Sequence, residues 1–442
     1  MQLKSVLVGA AICSSTLSIA QDHKIDFVEY DLKNGMHVIL HEDHTTPIVA
    51  VTVSYHVGSK NEDPSRTGFA HFFEHLLFEG SENIGRGEFM KIVKDAGGVL
   101  NANTSFDRTF YYEVLPSNQL ELGLWLESER LFHAKIDIEG VETQRKVVKE
   151  ELKQRNENTP YGSILNETFE HAFVEHPYQW TPGGSPKYIN EAKLEEFIEF
   201  YKTFYVPNNA TLSIAGDINP KQTKKLIKKY FGSIEAGINP IPRPTIVEPK
   251  KTEEVRDIVY DNIQLPAVIQ AYHSPAQGTD DYYAVSMLAQ LLSQGKSSRM
   301  QKTIVDEKQL AVAVGSFPLP SEDPGLTLNF GIANMGVEVM ALEEAMNAEV
   351  IKVQNELISD KEFQKLRNQL ENDFIQGNGT VAGIAESLSD YHVYFGEANL
   401  INTEIERYMK VSKEDLMRVA KKYFVPTNRV TLHYLPKSDE NQ

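Results

Sequence analysis

Residues 68–80 read GFAHFFEHLLFEG, and five consecutive positions within them hold His71, Glu74 and His75. Imidazole nitrogens are common metal ligands, and a carboxylate beside a metal can move protons as a general base. On a helix at about 100° per residue, His71 and His75 lie one turn apart with Glu74 on the same face. Phe69, Phe72, Phe73, Leu76 and Leu77 fall on the opposite arc. One turn of separation lets two imidazoles converge on one ion, while the apolar stripe anchors the helix in a core. Two histidines on a solvated helix face would give the same spacing, so the metal reading requires a third ligand.

The order H-x-x-E-H reverses the more familiar H-E-x-x-H and is read as a zinc protease motif. A third ligand is sought in QRKVVKEELKQRNEN, residues 144–158, where Glu150 and Glu151 are adjacent. A helix cannot aim both at one point. Glu150 shares its face with Lys146 and Gln154, the pattern of a solvated i, i+4 pair. Glu151 shares its face with Val147 and Val148, which puts it at the edge of buried surface, where a ligand belongs. Two surface glutamates on a charged helix remain the alternative for this segment taken alone.

These residues need a scaffold. Helical patterns cover 66–79, 86–96, 117–132, 138–157 and 191–203. HVILHEDHTTPIVAVTVSYHVG reads as two β-rich runs split by a turn at 43–47, and TFYYEVL (109–115) as another strand. The segment 235–254, EAGINPIPRPTIVEPKKTEE, carries Pro240, Pro242, Pro244 and Pro249 and reads as an extended linker. The flanking halves resemble each other. FYVPNNATLSI from Phe204 echoes YFVPTNRVTLH from Tyr423, and AVTVSYHVGS from Ala50 echoes AVIQAYHSPA from Ala267. An internal duplication follows. The expected fold is α+β, two homologous sandwich domains, each one mostly antiparallel sheet packed against helices. The expected divisions are a signal peptide at 1–20, an N-terminal domain at 21–236, a linker at 237–254 and a C-terminal domain at 255–437.

The chain has 442 residues, consistent with two domains, and a net charge of -18. That charge argues against nucleic acid or an anionic membrane surface as the main partner. No run in the mature sequence reaches the ~20 apolar residues of a membrane span. The start, MQLKSVLVGAAICSSTLSIAQ, has a lysine, a short apolar core and a small-x-small site ending at Ala20, the layout of a cleaved secretory signal. Export to the periplasm or the medium is therefore expected. The single cysteine, Cys13, lies within that signal, so a metal site in the mature chain must use His and carboxylates.

The pieces GxAHxxEHLxFxGS, GGxxNAxTxxxxTxYY and RxVVxxE, in this order, resemble the pitrilysin/insulysin superfamily of inverted-motif zinc metallopeptidases. The half-length branch, typified by mitochondrial processing peptidase and bacterial two-subunit peptidases, is the nearer match, and the resemblance spans the mature chain. In that family the third ligand is a glutamate 76 residues beyond the second histidine, which here is Glu151. The resemblance thus implies one zinc held by His71, His75 and Glu151, with Glu74 as the general base. It also implies that LNANTSFDRTFYYEV is a substrate-binding edge strand, with Asn101, Ala102 and Asn103 matching its N-A-x pattern; an ordinary core strand is the alternative.

Two positions depart from the family. A glutamate that often supports the ligands from behind is here Gln144. In the second half, Ser286, Ala289 and Gln290 stand opposite His71, Glu74 and His75, so no zinc is expected there. The arginine and tyrosine that hold substrate and oxyanion in single-chain relatives are replaced by Val305 and Val312. The resemblance therefore implies the zinc-bearing subunit of a heterodimer whose homologous partner supplies the Arg/Tyr pair, in preference to a homodimer. The competing function is a non-catalytic assembly subunit of the same fold.

Overall fold

The computed structural model describes residues 24–437; the expected signal peptide, Cys13 included, lies outside the described residues. The first sheet has six strands: β1 (Val28–Asp31), β2 (His37–Glu42), β3 (Ile48–Tyr55), β4 (Val99–Thr104), β5 (Thr109–Pro116) and β6 (Ala210–Gly216). Their order is β1-β2-β6-β3-β5-β4, with only β2 and β6 parallel. The second sheet holds β7 (Val255–Asp261), β8 (Ala267–Ser274), β9 (Ala311–Pro318), β10 (Gly325–Ala333) and β11 (Arg429–Pro436), in the order β7-β11-β8-β10-β9. Here β7 and β11 are the parallel pair. Exchanging β2, β6, β3, β5, β4 for β7, β11, β8, β10, β9 turns one sheet into the other. The fold is α+β, and its duplication extends to strand order and direction.

Helices α1 (Phe69–Leu76), α2 (Glu88–Asp95), α3 (Leu120–Phe132), α4 (Ile138–Asn156), α5 (Ile164–Ala172), α6 (Pro186–Glu191), α7 (Leu194–Phe204) and α8 (Pro220–Phe231) belong to the first half. Helices α9 (Asp280–Ser293), α10 (Val339–Asn355), α11 (Asp360–Gly377), α12 (Val381–Phe395), α13 (Leu400–Lys410) and α14 (Lys413–Tyr423) belong to the second. No helix among the described residues is long and apolar enough to cross a membrane.

The repeat is also visible in a single side chain. Asn209 Nδ2 donates to the carbonyls of His56 (3.3 Å) and Phe204 (2.8 Å). Asn428 Nδ2 donates to the corresponding carbonyls of His273 and Tyr423, both at 2.8 Å. Each amide ties a strand end to a helix end.

Sequence periodicity places helices on one face of each sheet; the structure covers both. On the inner face, Val49, Val51 and Val53 of β3 join a core with Phe72, Phe73 and Phe197. On the outer face, Ile39, Ala50 and Ala215 pack against Ile384, Ala385 and Leu388 of α12, a helix of the other half. Reciprocally, Phe169 and Ala172 of α5, with Phe173, pack against Ile269, Ala271 and Leu432 of the second sheet. Helices α5 and α12 start 217 residues apart, the same offset as Ala50 and Ala267, so the exchange is itself part of the repeat. Each half thus lends a helix to cover the other's sheet. The proline-rich segment 235–254 crosses between them without helix or strand. It is tied down by Arg243, which donates to Asn209 Oδ1 at 2.5 Å, and by Glu248, which accepts from the backbone of Val174, Glu175 and His176.

Candidate metal centre

Helix α1 carries His71, Glu74 and His75, and its eight residues are held at both ends by side chains from elsewhere. Its first residue follows Gly68, whose φ of +100° favours glycine, and no side chain within the helix caps it. The missing acceptors come from Glu62, whose Oε2 accepts from Gly68 N and Oε1 from Ala70 N, both at 2.8 Å. Glu62 is buried, and burial pushes its carboxyl up to about 8 against these N–H groups, which favour the ionised form. At the other end, Tyr111 Oη donates to Phe73 O at 2.8 Å and Arg130 Nη1 to Leu77 O at 3.2 Å. The apolar arc packs as expected. Phe69 stacks on Phe197 at 4.5 Å between centroids, Phe73 on Phe200 at 5.7 Å, and Leu76 and Leu77 are buried.

Replacing Glu62 with alanine leaves two buried N–H groups unpaired at the start of α1. The expected loss is about 1–3 kcal/mol, read from the shift of the urea midpoint. An unchanged midpoint would show that water or another group caps the helix.

Helix α4 delivers Glu151. Asp137 caps it by accepting from Gly140 N, and Val141, Val148 and Leu152 bury one side. The expected role of Val147 needs correction: its side chain is 46% exposed, and the buried neighbours of Glu151 are Val148 and Leu152. The apolar stripe of α4 is therefore narrower than the paired valines imply. Glu150 is exposed, as expected.

The donor atoms of His71, His75 and Glu151 all lie within 4.8 Å of one another. His71 Nε2 is 3.4 Å from Glu151 Oε1, and His75 Nε2 is 3.0 Å from Glu151 Oε2. Bonds of ~2.0–2.1 Å in a tetrahedron put neighbouring donors about 3.3–3.4 Å apart, so the three fit one zinc ion with little movement. The imidazole rings are nearly perpendicular, at 85°, so they approach the shared point from different directions. His71 is 6% exposed, which is not the position of a histidine on a solvated face. Its Nδ1 is buried without a hydrogen-bond partner. The hydrogen bonds from His71 and His75 hold the Glu151 carboxyl well below the usual range, marking the cluster as a place where positive charge is stabilised.

Among the described residues, one further trio, Glu29, His37 and His392, brings donors equally close. There the two imidazoles are stacked at 3.4 Å with planes 1° apart, and His37 is engaged by Asp31 at 2.7 Å and Glu29 at 3.2 Å. Parallel rings send their in-plane lone pairs side by side. Of these two clusters, the one on α1 and α4 has its rings inclined toward a shared point.

Glu74 is not among the converging donors. Its Oε2 accepts from Thr104 Oγ1 at 2.6 Å, and Thr104 ends β4. Strand β4 is the outermost strand of the first sheet, paired only with β5, so its other edge has no strand beside it among the described residues. Asn101 and Asn103 are exposed, whereas Leu100, Ala102 and Thr104 are half-buried. Successive strand residues face opposite sides, so the two asparagine side chains point away from the face that carries Thr104 and Glu74. Contacts from them toward that side would use backbone groups.

Gln144 is placed differently from the supporting role expected of it. Its Nε2 donates to Glu79, which also receives Arg86 at 3.0 Å, and its Oε1 is buried without a partner. No hydrogen bond joins it to His71, His75 or Glu151. In the second half, Ser286 and Ala289 are buried on α9. Val305 packs against the second core, and Val312 is 50% exposed on β9, the edge strand equivalent to β4.

Glu62, Thr104 and Arg130 are the supports that sequence reasoning missed. Glu62 caps from six residues before Gly68, at a spacing unlike any local capping pattern. Thr104 does fall within the quoted edge-strand motif, but nothing in spacing reveals that its hydroxyl reaches Glu74.

Residues 37–179 match the insulinase family (peptidase family M16), and residues 191–370 match the M16 inactive domain. A zinc protease, PqqE, of Helicobacter pylori is 34% identical over 408 residues, covering 92% of each chain. The crystal structure of a protease from Helicobacter pylori is similar with a TM-score of 0.89 at 32% identity, over 93% of this chain and 100% of that one. The periplasmic protease PqqL of Escherichia coli shares the fold, with a TM-score of 0.75 at 18% identity, over 94% of this chain but 48% of its own.

Proposed function

Because this chain belongs to the insulinase family of peptidases (M16), we propose that it is a zinc-dependent metalloendopeptidase subunit, exported from the cytoplasm and paired with a homologous chain. The observation that carries this reading is the convergence of His71, His75 and Glu151 beside a Glu74 that is not itself a ligand. His71 and His75 would hold the ion through Nε2 and Glu151 through its carboxylate. Zinc, when bound, polarises the scissile carbonyl and makes water acidic enough to attack at neutral pH. Glu74 accepts the proton from the attacking water and passes it to the leaving amine. Thr104 holds one carboxylate oxygen of Glu74, leaving the other for the water. A peptide adding to the free edge of β4 through backbone hydrogen bonds would be aligned beside that carboxylate, which favours extended, unstructured substrates.

Val305 and Val312 cannot stabilise an oxyanion, since neither side chain has a donor. A partner with the same two-domain form and an Arg/Tyr pair would supply that function. The PqqL chain, of which this one matches about half, carries a second length in a single polypeptide. Elemental analysis of the purified chain is expected to find one zinc, lost in Glu151→Ala. Dialysis against a chelator should abolish cleavage of an unstructured peptide by the partnered enzyme, and added zinc should restore it. A wild-type chain that takes up no zinc overturns the metal assignment; full turnover by the isolated chain overturns the need for a partner.

A further inference from the structure

The second half contains a cavity of about 210 Å³ to which the chemistry above assigns no role. Its walls are aromatic: Tyr282 of α9, Tyr391, Tyr394 and Phe395 of α12, and Tyr408 of α13. Tyr394 and Phe395 meet at 67° and Tyr391 and Phe395 at 36°, so the rings form inclined walls rather than a stack. The faces of such rings carry negative potential and attract cations. Burial pushes the phenols of Tyr391, Tyr394 and Tyr408 up, so these rings stay neutral.

Two carboxylates, Asp390 and Glu404, and the polar side chains of Gln277 and Ser387 complete the lining. Glu404 accepts from the hydroxyls of Tyr283 and Tyr391, and Arg407 acts on it through space without a direct hydrogen bond. The nearby Arg407 donates instead to Gly278 O and Tyr283 Oη. Arg108 Nη1 lies 2.8 Å from Asp390 Oδ1, but the contact is misaligned and neither atom has a hydrogen-bond partner. Arg108 Nη2 donates to Glu386. Asp390 Oδ1 is buried, and burial pushes this carboxyl up to about 7, so Glu404 is the carboxylate on which the site rests. The ring faces attract a cation without ligating it. A cation with hydrocarbon on its surface suits them.

We propose that this aromatic cage binds a small alkylammonium ion. The volume is that of about seven waters, enough for an amine of similar heavy-atom count. The charge could come from a free quaternary amine or from a lysine side chain, and the probes separate the two. The full chain is titrated calorimetrically with choline, with its uncharged isostere 3,3-dimethylbutan-1-ol, and with Nα-acetyl-lysine amide. One of the two cations is expected to saturate a single site, with the neutral alcohol roughly 10–30-fold weaker. The tighter cation identifies the source. Glu404→Gln is expected to weaken that binding by a similar factor. The proposal is overturned if neither cation saturates, if the neutral alcohol binds as well, or if folded Glu404→Gln binds unchanged. The wild-type comparison decides even if the variant does not fold.

Discussion

Replacing Glu74 with glutamine is expected to lower peptide hydrolysis by about 10²–10⁴-fold while leaving zinc content unchanged. The separation follows from the geometry. The converging donors belong to His71, His75 and Glu151, whereas Glu74 is bonded to Thr104 on the edge strand. Glutamine keeps the size and the acceptor oxygen for Thr104, but it cannot take a proton from water. The measurement pairs elemental analysis with initial rates on an unstructured peptide, using the partnered enzyme. A variant that cleaves as fast as wild type would remove Glu74 from the chemistry. If wild type itself binds zinc yet cleaves no peptide with its partner present, the non-catalytic assembly reading takes over.

The second large effect is on stability. Arg130→Met is expected to cost about 3–5 kcal/mol, although Arg130 touches no metal ligand. The guanidinium and the side chains of Glu113 and Glu127 have no exposure at all. Arg130 Nη2 lies 3.0 Å from Glu127 Oε1 and 3.2 Å from Glu113 Oε1. The cation also sits over the rings of Phe78, Phe89 and Tyr111, at 4.5, 4.5 and 4.1 Å from their centroids. Burial, reinforced by the neighbouring Glu127, pushes the Glu113 carboxyl well above its ordinary value, and the Arg130 guanidinium is the cation set against the negative charge of the pair. Methionine fills similar space but strands that charge in a dry core, and Leu77 O at the end of α1 loses its donor. Removing the partner too, in Arg130→Met with Glu127→Met, is expected to recover most of the loss, because the stranded charge is gone. Urea unfolding reads both. A single variant within about 1 kcal/mol of wild type would show that removing Arg130 strands no charge in the core.

How far the fold was legible varies with the range of the interaction. The stretch 66–79 reads as a helix because its period is local, and α1 occupies Phe69–Leu76. The turn at 43–47 and the strand at 109–115 appear as the β2–β3 turn and β5 for the same reason. The lack of helix or strand in 235–254 is legible because prolines act on their own backbone. Val147 misleads because a helical wheel gives the direction of a side chain but not where the neighbouring surface ends. Gln144 misleads because Glu79, its partner, comes from the segment beyond α1, and nothing in the spacing links them.

The sequence alone determined the residue types and the repeat: two imidazoles and a carboxylate within one turn, a glutamate 76 residues on, and two similar halves of which the second lacks the ligands. Those follow from helical and strand periods, which depend only on near neighbours. Tertiary structure alone decided what holds α1 still and what encloses the sheets: Glu62 at its start, Tyr111 and Arg130 at its end, Thr104 on Glu74, and α5 and α12 exchanged between the halves. Such contacts join groups far apart in the chain or outside any regular period. They form because buried N–H groups, charges and apolar faces must each find a partner once water is excluded, and no local pattern records which partner that is.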